Sequence, residues 1–163
     1  MKIMKVSRRS SRALAGYAII LGSIYLIIGA AEFIAGLWHL LQPEAAIAIL
    51  NLPVDLFGGF SALVIGAAYL GGILLWRGEI ESLGFLLVAT FLSIVFGLLY
   101  FLIVCADGFS TLIATWEGEE WTWEWLTSGT AGPGILRPEI WLALISLPLG
   151  YFVIKTTKRE KVQ

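Results

Sequence analysis

Charged side chains are absent from three long stretches of the chain. Residues 13–31, 56–76 and 82–106 contain no Asp, Glu, Lys or Arg, and a shorter free run covers 140–154. Within each stretch the apolar positions follow one another without a break. They do not alternate with polar ones as they would on a half-buried strand. A membrane-crossing helix takes roughly 20 apolar residues, whereas a membrane barrel strand takes about 9–11. The pattern therefore predicts four transmembrane helices, at about residues 13–41, 54–76, 82–105 and 138–155. The fourth reaches full length when Glu139 and Lys155 extend outward to the two interfaces. The expected fold class is all-α, an integral membrane four-helix bundle forming a single transmembrane domain over residues 1–163, with one larger loop over 107–137.

Composition points the same way. The 163 residues are 58% hydrophobic and 14% charged, against about 25% charged in an ordinary soluble domain. The first apolar run is longer than the roughly 7–15-residue core of a cleavable signal peptide, so it reads as an anchor.

Charge then supplies a direction. Lys2, Lys5, Arg8, Arg9 and Arg12 precede the first helix, Arg77 lies in the second connection, and Lys155, Lys158, Arg159 and Lys161 follow the last helix. Arg137 is the single basic residue in the other two connections, which carry Glu44, Asp55, Asp107, Glu117, Glu119, Glu120, Glu124 and Glu139. Lys and Arg collect on the cytoplasmic side of membrane proteins. Both termini are accordingly expected to be cytoplasmic in a multi-pass protein of the cell membrane. Beside a membrane helix, the basic N-terminal arm reads as a topology signal and a contact for anionic headgroups. Nucleic acid is not an expected partner.

Small residues recur along the apolar runs. Gly22, Gly29 and Gly36 repeat every seven residues, close to two helical turns, and Gly58, Ala62 and Gly66 repeat every four. In lipid, helices associate by close approach along such seams. Between the first two helices, Pro43 and Pro53 bracket a segment expected to form a short amphipathic or re-entrant piece at the outer interface. Asp55 follows at the position of an N-cap for the second helix.

Candidate chemistry lies in the first helix. Tyr25, Glu32 and His39 fall along one line of its surface at about 100° per residue, on the face that carries Gly29 and Gly36. An acid inside a membrane segment is a functional candidate by default. From Arg12 to Glu32 is roughly 30 Å of helix, which puts Glu32 near the outer interface. Glu32, His39, Tyr25, Asp55 and Asp107 are the candidate residues for a cation or proton site in an outward-facing vestibule. Glu32 and His39 alone are too few for a metal centre. A single histidine excludes bis-histidine haem within one chain, and Cys105, the single cysteine, excludes an intrachain disulfide. No cofactor and no catalytic residue is expected, since no phosphate-binding loop, hydrolase elbow or zinc-protease helix is present in the sequence.

The loop "WEGEEWTWEW" sets Trp116, Trp121, Trp123 and Trp125 among Glu117, Glu119, Glu120 and Glu124. Read as an extended strand, it points Trp121, Trp123 and Trp125 to one side. Such a strip serves as an interfacial anchor, a contact for a partner subunit, or an aromatic and acidic surface for an amine.

The layout of four short-looped helices with both ends inside resembles several small prokaryotic membrane families, DoxX-like proteins among them. The resemblance is one of layout, and no residue role is carried over from it. The leading expectation is a non-catalytic accessory or assembly subunit, or a homo-oligomer, embedded in the lipid bilayer and acting through the outer loop. The alternative is a small transporter or channel-like protein for a cation, proton or amine, using Glu32.

Overall fold

The computed structural model describes residues 8–41, 55–77, 79, 81–130 and 132–160. The expected interfacial piece between Pro43 and Pro53 lies outside the described residues.

Four helices make up most of the described chain: α1 (Arg8–Leu41), α2 (Leu56–Gly71), α3 (Ser82–Trp116) and α4 (Pro138–Glu160). A 3-10 segment, Gly72–Arg77, prolongs α2. The segments long and apolar enough to cross a membrane are Ser11–Leu41, Leu56–Arg77, Ser82–Trp116 and Pro138–Thr156. The protein is an integral membrane four-helix bundle.

Each helix has a local cause. Asp55 caps α2, accepting a 2.8 Å hydrogen bond from the Gly58 amide through Oδ1. This satisfies one of the amides a helix start leaves unpaired. Pro138 opens α4, where its missing N–H costs nothing. Gly118, at φ 103°, turns the chain away after α3 in a backbone conformation that glycine alone tolerates readily.

α1 packs chiefly on α2, and α3 on α4. Small residues set the first contact. A Cβ on Gly29 would stand 2.7 Å from the Leu63 amide and 2.8 Å from the Gly59 carbonyl, and one on Gly36 would stand 2.8 Å from the Leu56 backbone. Gly22 lies 3.0 Å by the same measure from the carbonyl of Gly66. The two seams read from the sequence thus face each other. The main core runs through all four helices, with Leu21 and Tyr25 from α1, Ile65 and Tyr69 from α2, Leu86 from α3 and Leu149 from α4. A smaller cluster of Tyr100, Val104 and Ile140 packs with Trp125 at the end remote from the chain termini.

Two features differ from expectation. α3 continues past residue 105 to Trp116, so Asp107 lies inside a helix and the connection to α4 starts at Glu117. The Trp-rich segment forms no strand: Glu124–Leu126 is a 3-10 turn. A lone strand there has no neighbour to take its backbone hydrogen bonds. The turn nevertheless gathers the three indoles, with Trp121 edge-on to Trp123 at 5.4 Å and Trp123 stacked on Trp125 at 6.2 Å.

Candidate functional site

The strongest concentration of buried charge lies where the C-terminal half of α1 meets the starts of α2 and α4. Arg137, immediately before α4, is 2% exposed. Its Nη2 donates to Asp55 Oδ2 at 2.6 Å, and its Nε donates to Glu139 Oε2 at 3.1 Å. Its guanidinium also lies over the Tyr100 ring, 3.6 Å from the centroid. Tyr100, from α3, donates its hydroxyl to Asp55 Oδ2 at 2.8 Å. Gly58 is the space that lets these groups meet. A Cβ there would stand 2.5 Å from the Tyr100 hydroxyl, 2.7 Å from Asp55 Oδ2 and 2.8 Å from Arg137 Nη2.

Burial of Asp55 raises its pKa, but the Gly58 amide, the Tyr100 hydroxyl and the Arg137 guanidinium outweigh this and hold the carboxyl below its ordinary value. Burial works against the charge on Arg137, yet Glu139, Tyr100 and Asp55 around it keep its pKa above the usual one.

Glu32 adds a third carboxyl to this cluster. It is fully buried, and its strongest charged neighbour is Glu139, followed by Arg137 and Asp55. Glu32 and Glu139 lie close enough to share a hydrogen bond once either is protonated; as two carboxylates, both acceptors, they make none. Both oxygens of Glu32 and Oε1 of Glu139 are buried with no hydrogen-bond partner among the described residues. Three carboxyls thus share one guanidinium. If all were ionised, the cluster would carry two excess negative charges in a low-dielectric interior, which is strongly unfavourable. A proton or a small cation relieves it.

The other sequence candidates separate. His39 is exposed in the last turn of α1, although it continues the line of Glu32. Asp107 belongs to a loop clasp: its Oδ2 accepts from the Thr130 amide at 2.8 Å and its Oδ1 from the Thr130 hydroxyl at 2.6 Å. Tyr25 lies in a second polar layer, seven residues before Glu32 on α1, where its hydroxyl pairs with that of Ser93. Glu32 itself is enclosed rather than set on the wall of an open vestibule. Among the described residues, no group of three or more His, Cys, Asp or Glu side chains is disposed to hold a metal ion.

Trp116, the last residue of α3, and Trp123 of the loop are 79% and 65% exposed, and Glu119, Glu120 and Glu124 are also exposed. Trp125 turns inward against Gly108 of α3. The sequence reading missed Arg137, Glu139 and Tyr100 as site residues. The available signal was Arg137, the sole base among the acids of its connections.

A transmembrane bundle with a carboxyl cluster at one end defines the class of protein. The MJ0565 integral membrane domain model matches residues 9–156, and the chain belongs to that family. Over 108 residues it is 26% identical to the uncharacterized protein MJ0565 of Methanocaldococcus jannaschii, a match that covers 64% of this chain and 70% of the relative. No solved structure matches the chain.

Proposed function

We propose that this protein is a small ion-exchanging membrane protein in which Glu32 and Glu139 bind and release one proton or one small monovalent cation, beside the fixed charges of Arg137 and Asp55. One observation carries the reading: three buried carboxyl oxygens have no partner among the described residues. A polar residue kept only to fix helix register is expected to be satisfied, as the paired Tyr25 and Ser93 hydroxyls are. An unsatisfied carboxyl inside a membrane helix is a costly feature that an exchangeable ion explains. Because Glu32 is enclosed, exchange requires the contact between α1, α2 and α4 to open.

The placement of Lys and Arg supports cytoplasmic termini in the cell membrane, with the carboxyl cluster toward the outer side. Infrared difference spectroscopy of the purified protein tests the site. A band from a buried protonated carboxyl is expected to respond to pH, or to added sodium, and to vanish in Glu32→Gln. An unchanged band in both Glu32→Gln and Glu139→Gln removes the reading.

A second reading keeps the outer loop as an assembly surface for a second copy or another membrane subunit. It is supported by the exposed face of Trp123, held on a ring cluster that the Asp107–Thr130 clasp braces. Crosslinking in mild detergent tests it: loss of a specific oligomer in Trp123→Ala is the expected result.

A further inference from the structure

α3 is longer than a bilayer requires. Arg12 to Glu32 on α1, Ser82 to Tyr100 on α3 and Arg137 to Lys155 along α4 each measure roughly 27–30 Å of helix. A hydrocarbon core is roughly 30 Å thick. All three stretches run between the end that carries the termini and the carboxyl cluster, so the cluster marks the far edge of the hydrocarbon. Past Tyr100, α3 continues over residues 101–116, roughly 24 Å more. Headgroups account for about 5–7 Å of this. Even a tilt of about 40° leaves Trp116 roughly 18 Å beyond the hydrocarbon.

The projecting length stays apolar on one side. Leu98, Leu102, Cys105, Phe109, Leu112 and Trp116 are exposed. Their spacings alternate between four and three, the heptad rhythm of a helix that pairs with another. At about 100° per residue they lie within about 40° of one line. Val104, packed in the smaller core cluster, and Asp107, clasped to the loop, lie on the opposite side. Lipid covers the stripe at Leu98 and Leu102. It does not reach Phe109, 61% exposed, or Trp116, and these two rings together present roughly 300 Å². Apolar surface of this extent in water marks a contact site.

We propose that a second copy of this chain covers the stripe: two α3 helices pair in parallel and in register about a two-fold axis along the membrane normal. Three features favour a copy over another polypeptide. Copies in one bilayer share one orientation, so like residues meet along the stripe. The only charged residue between Leu98 and Trp116 is Asp107, which points away and is bonded to Thr130, so self-pairing buries no charge. With Phe101 and Ile113 at its flanks, the stripe exposes roughly 800 Å² of side chain, about the area per partner that a stable interface takes. The contact is separate from the exchange site and from the face of Trp123.

Cys105, the single cysteine, sits mid-stripe and would face its counterpart in the second copy. The test uses the full chain in liposomes at a low protein-to-lipid ratio, treated with a short bismaleimide. A covalent dimer is expected. Cys105→Ser should give no crosslink yet stay dimeric by subunit counting in single liposomes. Phe109→Glu and Leu112→Glu lie outside the hydrocarbon and the core, and each should cut the crosslinked fraction by about tenfold or more, while the Glu32 carboxyl band still titrates. Trp123→Ala should leave the crosslink unchanged. As a control, Cys105→Ser combined with Ile27→Cys moves the thiol to an exposed position on α1 and should not crosslink. A monomeric wild type overturns the pairing, as does wild-type crosslinking in both Phe109→Glu and Leu112→Glu. Equal crosslinking through Ile27→Cys means random collision and overturns it too. Loss of the crosslink in Trp123→Ala alone assigns the contact to the loop instead. In native membranes, a Cys105 product with a different polypeptide gives the stripe to that partner and not to a second copy. The exchange site is untouched by any of these results and falls only by its own carboxyl-band test.

Discussion

Arg137 and Asp55 meet at 2.6 Å across 82 residues of sequence, one at the start of α4 and the other capping α2. The Arg137 side chain is 3% exposed and that of Asp55 25%. Their contact joins the two helix pairs, α1 with α2 and α3 with α4, at one end of the bundle. It also brings the positive charge beside which Glu32 and Glu139 are tolerated.

Removing Arg137 takes away the one guanidinium that Asp55, Glu139 and Glu32 share, whereas removing Asp55 leaves Arg137 its pairing with Glu139. Arg137→Ala is therefore expected to destabilise the bundle by about 3 kcal/mol, and Asp55→Asn by less, since Asp55 keeps access to water. A double-mutant cycle on thermal unfolding in detergent should give a coupling clearly above about 0.5 kcal/mol. Additive losses would mean that the pair does not act as a unit.

The same pair gives a pH dependence of known sign. The Asp55 pKa is lower in the folded protein, so its contribution is fully present above the unfolded value of about 3.9. It is lost as pH falls through the lower folded value. Wild-type stability should therefore fall with acid in that range. In Asp55→Asn the slope there should be shallower, as read from unfolding midpoints across the acid range.

Close approach of backbones makes the glycine seam selective. Gly59→Ala would press a methyl to 2.9 Å from the Glu32 backbone carbon and the Gly29 carbonyl, where nothing flexible yields. Gly16 and Gly84 have open space at the same test. Gly59→Ala is expected to lower the unfolding temperature strongly. Gly16→Ala and Gly84→Ala should be neutral or stabilising by up to about 1 kcal/mol, the helix preference of Ala over Gly. Equal effects at all three sites would refute the seam.

The spans, the Asp55 cap and the facing glycine seams could be read from the chain, because each depends on local pattern: run length, cap chemistry or small-residue spacing. Glu32 stood out for the same reason. Its partners did not, because the meeting of α1 with α4 joins residues more than a hundred positions apart and no periodicity encodes it. The helical line through Tyr25, Glu32 and His39 gave a shared face. It could not give depth, and depth separates an enclosed Glu32 from an exposed His39. The end of α3 was hidden by Asp107, whose charge resembles a loop residue until its partner Thr130 is seen.

Asp107 also fixes the geometry of the outer loop. It accepts two hydrogen bonds from Thr130, while Gly129 and Gly132 pair backbone to backbone beside it. Trp125 closes the same turn by lying against Gly108, where a Cβ would come within 2.9–3.0 Å of three ring atoms. Two separate contacts thus hold the loop to α3, one polar and one apolar. Asp107→Ala removes the polar one, and the Thr130 amide should exchange with deuterium roughly tenfold faster, in line with the loss of about 1.4 kcal/mol of local protection. Thr130→Ala keeps the amide bond and should show a smaller change. Gly108→Val displaces the indole, so Trp emission should shift even though the Asp107 clasp is intact. None of the three should move the exchange of core amides in α1 and α2, because the clasp and the Trp125 contact are both made on α3. If Asp107→Ala leaves loop exchange unchanged, Trp125 alone holds the loop. If α1 and α2 also loosen, the loop is part of the bundle's cooperative unit rather than a surface built upon it.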